Sequence, residues 1–442
     1  MQFKASQVAV AVSGRLVGDD VDIDGAGIDS RTVAAGQLFV PIVAARDGHE
    51  FVSSAQASGA TAYLSSEGSV PGASIPAITV TDTAAALADL GGAARDRLPD
   101  RVVGVTGSVG KTSTKDLLAG ALATTFRTTA SEKSFNNELG LPLTLVNAPD
   151  DTEAVVVEMG ARGVGHIDLL CSIARPTVGI VTRVEGVHLE LFGDIESVAR
   201  AKGELVESLP VDGLAVLNAD DERVAAMAER TDAGVLTFGL TSSADVSASG
   251  VVVDDELRAS FRLHTPWGDA DIALGARGEH QVPNALAAVA AAGWLGVPVE
   301  RMAQGLIVAA LSGLRMELAT SAAGVVVLND AYNANPTSMA AALRSLAALD
   351  AGRRVAVLGT MGELGAGSAA AHASIAEQAR DLGIEVIAVD APDYGESARH
   401  VPDVDAAVAD LADLRSGDAV LVKASRVAAL ERVAAALLSP GP

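Results

Sequence analysis

The sequence predicts an α/β protein of three domains: a small mixed α/β N-terminal domain, a central parallel-sheet domain carrying a P-loop of the ATPase kind, and a C-terminal open α/β domain of Rossmann-like type. Three observations predict it. From residue 101 onward, apolar runs of four or five residues alternate with helical patterns; polar residues stand directly after each run; and one run leads into a glycine-rich turn closed by Lys-Thr. At 442 residues the chain exceeds the size at which one hydrophobic core keeps growing, so two or three domains are expected.

The first segment, 1–98, carries short alternating runs such as Gly36-Gln37-Leu38-Phe39-Val40-Pro41 and Ala60-Thr61-Ala62-Tyr63-Leu64. It closes on a helical pattern, Thr83-Ala84-Ala85-Ala86-Leu87-Ala88-Asp89-Leu90, before a linker at Pro99-Asp100. The second, 99–313, contains apolar runs at 102–105, 154–157, 178–181 and 214–217. Continuous apolar strands mark a parallel sheet covered on both faces. Residues near 245–275 read as an antiparallel insertion, and Leu311-Ser312-Gly313 as the second boundary. The third, 314–442, repeats the alternation at 325–328, 355–358, 386–389 and 419–422. Thr106, Glu158, Thr182, Asn218, Asp330, Asp390 and Lys423 follow soon after such runs. Ligands of open α/β sheets bind there, outside the strand C-termini.

Composition narrows the partners. With 32 Lys+Arg against 56 Asp+Glu the net charge is −24, which argues against nucleic acid, since a phosphate backbone needs a basic footprint. Cys171 is the single cysteine and fits a reducing compartment. The apolar stretch at 8–12 is too short for a signal peptide, and the one at 285–299 is shorter than a membrane span and is broken by Pro298. A cytoplasmic protein with no membrane span is expected, a monomer by default.

The turn is the most informative stretch. Thr106-Gly107-Ser108-Val109-Gly110-Lys111-Thr112-Ser113 lies between the run at 102–105 and a helical pattern. Backbone N–H groups at such a helix N-terminus point at an anion, Lys111 offers a charge for terminal phosphates, and the Thr112 hydroxyl an oxygen suited to Mg²⁺. The usual pattern has a glycine where Val105 stands, so the loop is a shortened Gly-x-x-Gly-Lys-Thr.

Lys202 is the second. The stretch 194–210 reads as a helix with Asp194 as N-cap and Pro210 as stop, and the 3.6-residue period puts Lys202 inside the stripe of Ile195, Val198, Leu205 and Leu209. A lysine there either snorkels outward or is buried, and burial depresses its pKa. A neutral lysine can take up CO₂ as a carbamate, which replaces a cation with an oxygen ligand. Glu158, at a strand end, offers a carboxylate for a divalent ion. His188 follows the 178–181 run by a short loop; a lone histidine there is more often a surface residue than a metal ligand.

Together these residues resemble the Mur ligases, the ATP-dependent amide-forming enzymes of peptidoglycan assembly. The resemblance covers essentially the whole chain. It rests on the short P-loop, on Ser134-Phe135-Asn136-Asn137-Glu138-Leu139-Gly140-Leu141-Pro142, on Val157-Glu158-Met159-Gly160, and on His188-Leu189-Glu190 followed by Ala201-Lys202-Gly203-Glu204. Asp330-Ala331-Tyr332-Asn333-Ala334-Asn335-Pro336, with Gly362-Glu363-Leu364-Gly365 and His372, favours the branch that joins D-alanyl-D-alanine to UDP-N-acetylmuramoyl (UDP-MurNAc)-tripeptide.

The resemblance implies ATP as co-substrate and an acyl-phosphate intermediate. It further implies two Mg²⁺ ions held through Thr112, Glu158, His188 and a carbamylated Lys202, with Lys111 and Arg315 stabilising the moving phosphate. Asn284 would meet adenine, Arg315 the ATP phosphates and Asp330 the ribose. Ser30 and Arg31 would serve the UDP end of the substrate, with Asn136, Asn137, Asn333, Lys423 and Ser425 along the rest. The chain departs from the family at Gln281, where asparagine is common, at Ala424, where glycine is usual, and at Thr360, where an acidic residue is common. A related ligase with another amine or carboxylate, a catalytically silent ATP-binding regulator and a P-loop kinase stand as alternatives.

Overall fold

Strand Val102–Thr106 lies inside a nine-stranded sheet, flanked in parallel by Ala154–Glu158 and Val178–Val181. The computed structural model that shows this describes residues 1–132, 135–186 and 189–439. Thr128–Ala130 closes one edge, and on the other side follow Leu214–Asn218, Gly234–Gly239, Val246–Val253, Arg258–Thr265 and Gly268–Arg277. The last two strands run antiparallel. The expected antiparallel insertion is therefore an extension of the same sheet, because Phe238 and Gly239 pair in parallel with Val246 and Ser247.

Both faces of the inner strands are covered, which is why their sequence is apolar without alternation. Val103 and Val105 pack with helix Lys111–Ala123 and the largely buried, alanine-rich helix Gln281–Trp294. Val102, Val155 and Val157 face Leu141, Ile167 and Leu205 on the opposite side. Val105 thus belongs to the core of the sheet, and the turn begins only after Thr106. A glycine at 105 would remove core packing without adding a loop N–H.

The N-terminal segment folds around a five-stranded sheet ordered Arg15–Val17, Ala77–Thr79, Ala62–Ser65, Leu38–Phe39, Ala26–Gly27, with Gln2–Lys4 and Asp22–Asp24 as a separate pair. Its last helix, Thr83–Arg95, is capped by Asp82, whose carboxylate accepts from Ala84 N and Ala85 N. That helix packs mainly on Gly140–Val146 and His166–Ala174 of the central layer. Phe3, Val8 and Ile78 of the first segment therefore share one apolar core with Leu141, Ile167 and Leu205.

The third segment has a six-stranded sheet ordered Glu317–Thr320, Val326–Asn329, Ala419–Lys423, Arg354–Leu358, Glu385–Val389, Arg399–Val401. All its pairings are parallel except the first, a hairpin. Among the described residues, no helix is long and apolar enough to cross a membrane.

Candidate active site

The P-loop is held from below. Thr106 is fully buried and its hydroxyl donates to Met159 O at 2.8 Å, so its side chain supports the loop and does not reach a ligand. Thr182, at the end of the neighbouring strand, donates to Val109 O at 2.6 Å, and Ser108 N donates to Arg183 O at 2.7 Å. Gly107 has φ +143°, and a Cβ there would strike the Thr182 hydroxyl. Gly110, the N-cap of helix Lys111–Ala123, has φ +85°, and a Cβ there would strike Asn284 Oδ1. Gly110→Ala must therefore adopt a left-handed conformation costing about 1–3 kcal/mol and displace Asn284 as well. We expect a loss of nucleotide affinity of roughly tenfold or more by that arithmetic, read by titrating a fluorescent ATP analogue.

Beyond the loop lies a cavity of about 500 Å³ between the central and C-terminal segments. Glu158, 1% exposed at its strand end, is the hub. Its Oε2 accepts from Thr112 Oγ1 at 2.7 Å and its Oε1 from Asn136 Nδ2 at 2.8 Å. Thr112 Oγ1 in turn accepts from Arg315 Nη2 at 2.9 Å, so a residue of the third segment closes onto the P-loop helix. Arg315 also lies over the Tyr332 ring, with Cζ 4.5 Å from its centroid. Among the described residues, its buried Nε has no hydrogen-bond partner. Leu314 and Met316, on either side, both have left-handed φ, +62° and +52°.

Lys202 is 1% exposed and lines this cavity. Helix Ile195–Glu207 is capped as the sequence predicts, Asp194 accepting from Ser197 N, and the lysine sits among Val198, Leu205 and Val206 on its buried face. Burial, with Lys111 adding repulsion and Glu158 and Glu204 opposing it, pulls its pKa down to about 7. Glu204 is occupied elsewhere, accepting from Gly165 N and Asp168 N at the start of helix His166–Ala174. No hydrogen-bond partner of Lys202 Nζ is present among the described residues. Burial also depresses Lys111, and Arg315 adds to the effect. Lys111 Nζ folds back to Gly107 O at 2.7 Å and Ser108 O at 3.3 Å.

In a chain of net charge −24, three basic side chains, Lys111, Lys202 and Arg315, thus converge on the cavity of one buried carboxylate. That imbalance, with the unpartnered Arg315 Nε, fits a polyphosphate anion. The Thr112 hydroxyl and the Glu158 carboxylate are hard oxygen donors of the type Mg²⁺ takes. His188 and Ser134 lie outside the described residues.

On the other side of the loop is a second, largely apolar cavity of about 380 Å³, and Val109 and Gly110 line both. Phe238 and Leu257 line its central side, Ser345 and Arg344 of helix Pro336–Ala348 its C-terminal side. Asn284 sits in its wall, donating to Gln281 Oε1 at 2.9 Å. His280, also in the wall, is held down to about 4 by burial, against the opposing pull of Asp330. A flat apolar group in this cavity, joined past Gly110 to phosphates in the other, matches a purine nucleotide in outline.

The remaining predicted residues divide. Asn333 and Asn137 line the larger cavity, although Asn137 Oδ1 is used to cap helix Gly140–Val146 through Gly140 N at 2.9 Å. Ser425 also lines it, its hydroxyl donating to Thr360 O at 2.7 Å. Lys423 does not: it is 2% exposed at the end of an interior strand, and its ammonium donates to Asp330 Oδ2 at 2.5 Å and Asn333 O at 2.9 Å. Asp330 is engaged in the same pair and accepts from Met316 N, so its carboxylate is not free for a ribose in this arrangement. Ser113 is buried on the helix.

Ser30 and Arg31 lie in the N-terminal segment, away from both cavities. Arg31 pairs with Asp29 at 2.6 Å and draws that carboxyl down to about 2. Nearby, Asp47, His49 and Glu67 cluster as a metal site might, yet His49 Nδ1 bonds Asp47 at 2.6 Å and Nε2 accepts from Ser66 N, which leaves no lone pair for a metal. Sequence reading passed over Tyr332, Phe238, Arg344 and His166 as cavity residues, since each is brought in by a separate element.

Three family models match in succession: "Mur ligase family, catalytic domain" at residues 22–95, "Mur ligase middle domain" at 105–292 and "Mur ligase, glutamate ligase domain" at 314–426. The chain is 40% identical to the UDP-N-acetylmuramoyl-tripeptide–D-alanyl-D-alanine ligase of Mycobacterium bovis, over 93% of this chain and 91% of that one. Among solved structures, MurF from Acinetobacter baumannii superposes with a TM-score of 0.88 at 30% identity, covering 99% of each chain. MurF ligase from Thermotoga maritima, in complex with ADP, gives 0.81 at 28% identity over 93% of this chain and 96% of that one.

Proposed function

This chain belongs to the Mur ligase family, and from that premise we propose that it joins D-alanyl-D-alanine to UDP-MurNAc-tripeptide with hydrolysis of ATP to ADP and phosphate. It is an amide-forming, ATP-binding ligase of peptidoglycan precursor synthesis. The observation that carries the reading to this site is the closure of Arg315 onto Thr112 over Glu158, with Lys111 and Lys202 facing the same cavity. When bound, ATP with Mg²⁺ supplies the phosphoryl group that turns a poorly electrophilic carboxylate into an acyl phosphate.

The chain's own residues prepare that transfer. Loop N–H groups and Lys111 would hold the terminal phosphates, and Arg315 would stabilise the charge that develops as the phosphoryl group moves. Thr112, Glu158, His188 and carbamylated Lys202 would hold two Mg²⁺ ions. The depressed pKa of Lys202 supports the carbamate, because CO₂ reacts with the neutral amine. A carbamate also reverses the charge of Lys202 and removes its repulsion of Lys111. The apolar cavity would hold the base beside Asn284, and the N-terminal segment the UDP end near Ser30 and Arg31. The dipeptide amine would enter from the C-terminal side, past Asn333 and Ser425. The ATP requirement supports a cytoplasmic location, with which the free, buried Cys171 is consistent.

The test is phosphate release from ATP by the full chain with UDP-MurNAc-tripeptide, with and without D-Ala-D-Ala, and mass spectrometry of the product. Release that needs both, with a product heavier by one dipeptide less water, supports the reading. Release with a phosphorylated product, or with another amine alone, overturns it.

A further inference from the structure

The third segment contains a histidine the mechanism does not use. His372, in helix Ser368–Asp381, is 1% exposed and touches neither cavity. Its Nε2 accepts from Met361 N at 2.9 Å, and its Nδ1 lies 2.8 Å from Ser368 O. A backbone N–H needs a lone pair at Nε2, and a carbonyl needs a hydrogen at Nδ1. The ring is therefore neutral with its hydrogen on Nδ1. Tyr394, also buried, packs edge-on at 4.9 Å between centroids and donates its hydroxyl to Gly359 O at 2.9 Å.

Those two side chains grip the root of a loop. Gly359 N donates to Lys423 O, Gly359 O accepts from Tyr394, Thr360 O accepts from Ser425 N and Oγ, and Met361 N is held by His372. The loop then lines the larger cavity with Gly362, Glu363 and Leu364, and Gly365 N reaches Glu190 Oε1 of the central segment at 3.2 Å. Glu363 has φ +63°, which a residue with a Cβ rarely adopts. A disfavoured conformation in a cavity wall persists only where its surroundings over-determine it.

We propose that His372 is a positioning residue that fixes loop 361–365 and thereby the amine-binding half of the cleft. This rests on the assignment of that half to the incoming dipeptide. Losing the Met361 bond lets the root of the loop rotate, and Glu363 relaxes to an ordinary φ. The side of the cleft that meets the amine then loses its shape, while the P-loop and the nucleotide cavity keep theirs.

The experiment compares wild-type full chain with His372→Asn and His372→Gln. Asparagine reaches the Nδ1 position and keeps the donor to Ser368 O; glutamine reaches the Nε2 position and keeps an acceptor for Met361 N. For His372→Asn we expect the KM for D-Ala-D-Ala to rise about tenfold, as for an orphaned buried N–H, with the KM for ATP and for UDP-MurNAc-tripeptide unchanged. Amide hydrogen exchange of the peptide spanning 359–366 should accelerate in the same variant, and His372→Gln should restore both readings. An equal rise of all three KM values, faster exchange throughout the domain, or wild-type values in both measurements would overturn the proposal. A wild type that releases no phosphate with the dipeptide would defeat the functional assignment instead, and the exchange comparison would still decide the role of His372.

Discussion

Lys202→Met is expected to cut turnover by on the order of 10²–10³-fold, the loss typical of removing one preorganised charge-stabilising group. In CO₂-depleted buffer below pH 7 it should raise the thermal midpoint. The two effects share one cause. Burial holds the folded pKa of Lys202 near 7, against 10.5 for an ordinary lysine. Below about 7 both folded and unfolded chains carry the proton, and the folded state bears the full cost of a buried cation. Between about 7 and 10.5 the unfolded chain binds a proton that the folded one does not, so stability rises with pH across that window. Methionine removes the cost at every pH. Activity has the same sign: uptake of CO₂ needs the neutral amine, so wild-type turnover at fixed dissolved CO₂ should fall as pH drops through about 7. Phosphate release, calorimetry and a carbamate carbon signal after ¹³C-bicarbonate labelling check the three parts. A midpoint that falls together with activity would mark the loss as structural and sink the argument.

Arg315→Ala should lower turnover by a similar order, roughly 10²–10³-fold, with little change in the affinity for UDP-MurNAc-tripeptide. Arg315 meets Thr112 at 2.9 Å and Tyr332 at 4.5 Å, and neither of these partners belongs to the N-terminal segment. Its neighbours Leu314 and Met316 sit in left-handed backbone, so the guanidinium is presented by a main chain already bent to deliver it. The check is turnover by phosphate release beside calorimetric titration of the UDP substrate. Equal loss of both would mean that the arginine holds the segments together and has no special part in phosphoryl transfer.

What was legible in the sequence follows from where the physics is local. Strands such as Val102–Thr106 and Ala154–Glu158 announce themselves because burial on both faces demands an unbroken apolar run. Lys202 was legible for the converse reason, since a charge inside an apolar helical stripe violates the pattern around it. The edge strands Thr128–Ala130 and Arg399–Val401 gave no such signal, being short and only half covered. Pairings across distance were also hidden. The ion pair of Lys423 with Asp330 joins residues 93 positions apart, and it withdraws both from the ligand roles their strand-end placement suggests. The apolar cavity was invisible because Phe238, Asn284 and Arg344 come from three elements and share no motif. His188, read as a metal ligand or a surface residue, lies outside the described residues.

The apolar core shared by Phe3, Leu90, Leu141 and Leu205 has a mechanical consequence. Helix Thr83–Arg95 is mortised into the central layer, with Gly91 so close to Pro142 that a side chain would not fit between them. The first 98 residues are accordingly no detachable cap. A chain begun at residue 99 would bare the leucine-lined seat of that helix and precipitate, and heating should melt the first two segments in a single step. The segment proposed to hold the UDP end of the substrate is thus fixed to the layer that carries the P-loop. The third segment's apolar core takes in Leu257, from the turn between strands Val246–Val253 and Arg258–Thr265; this shared core is much smaller, so any closing motion is expected there.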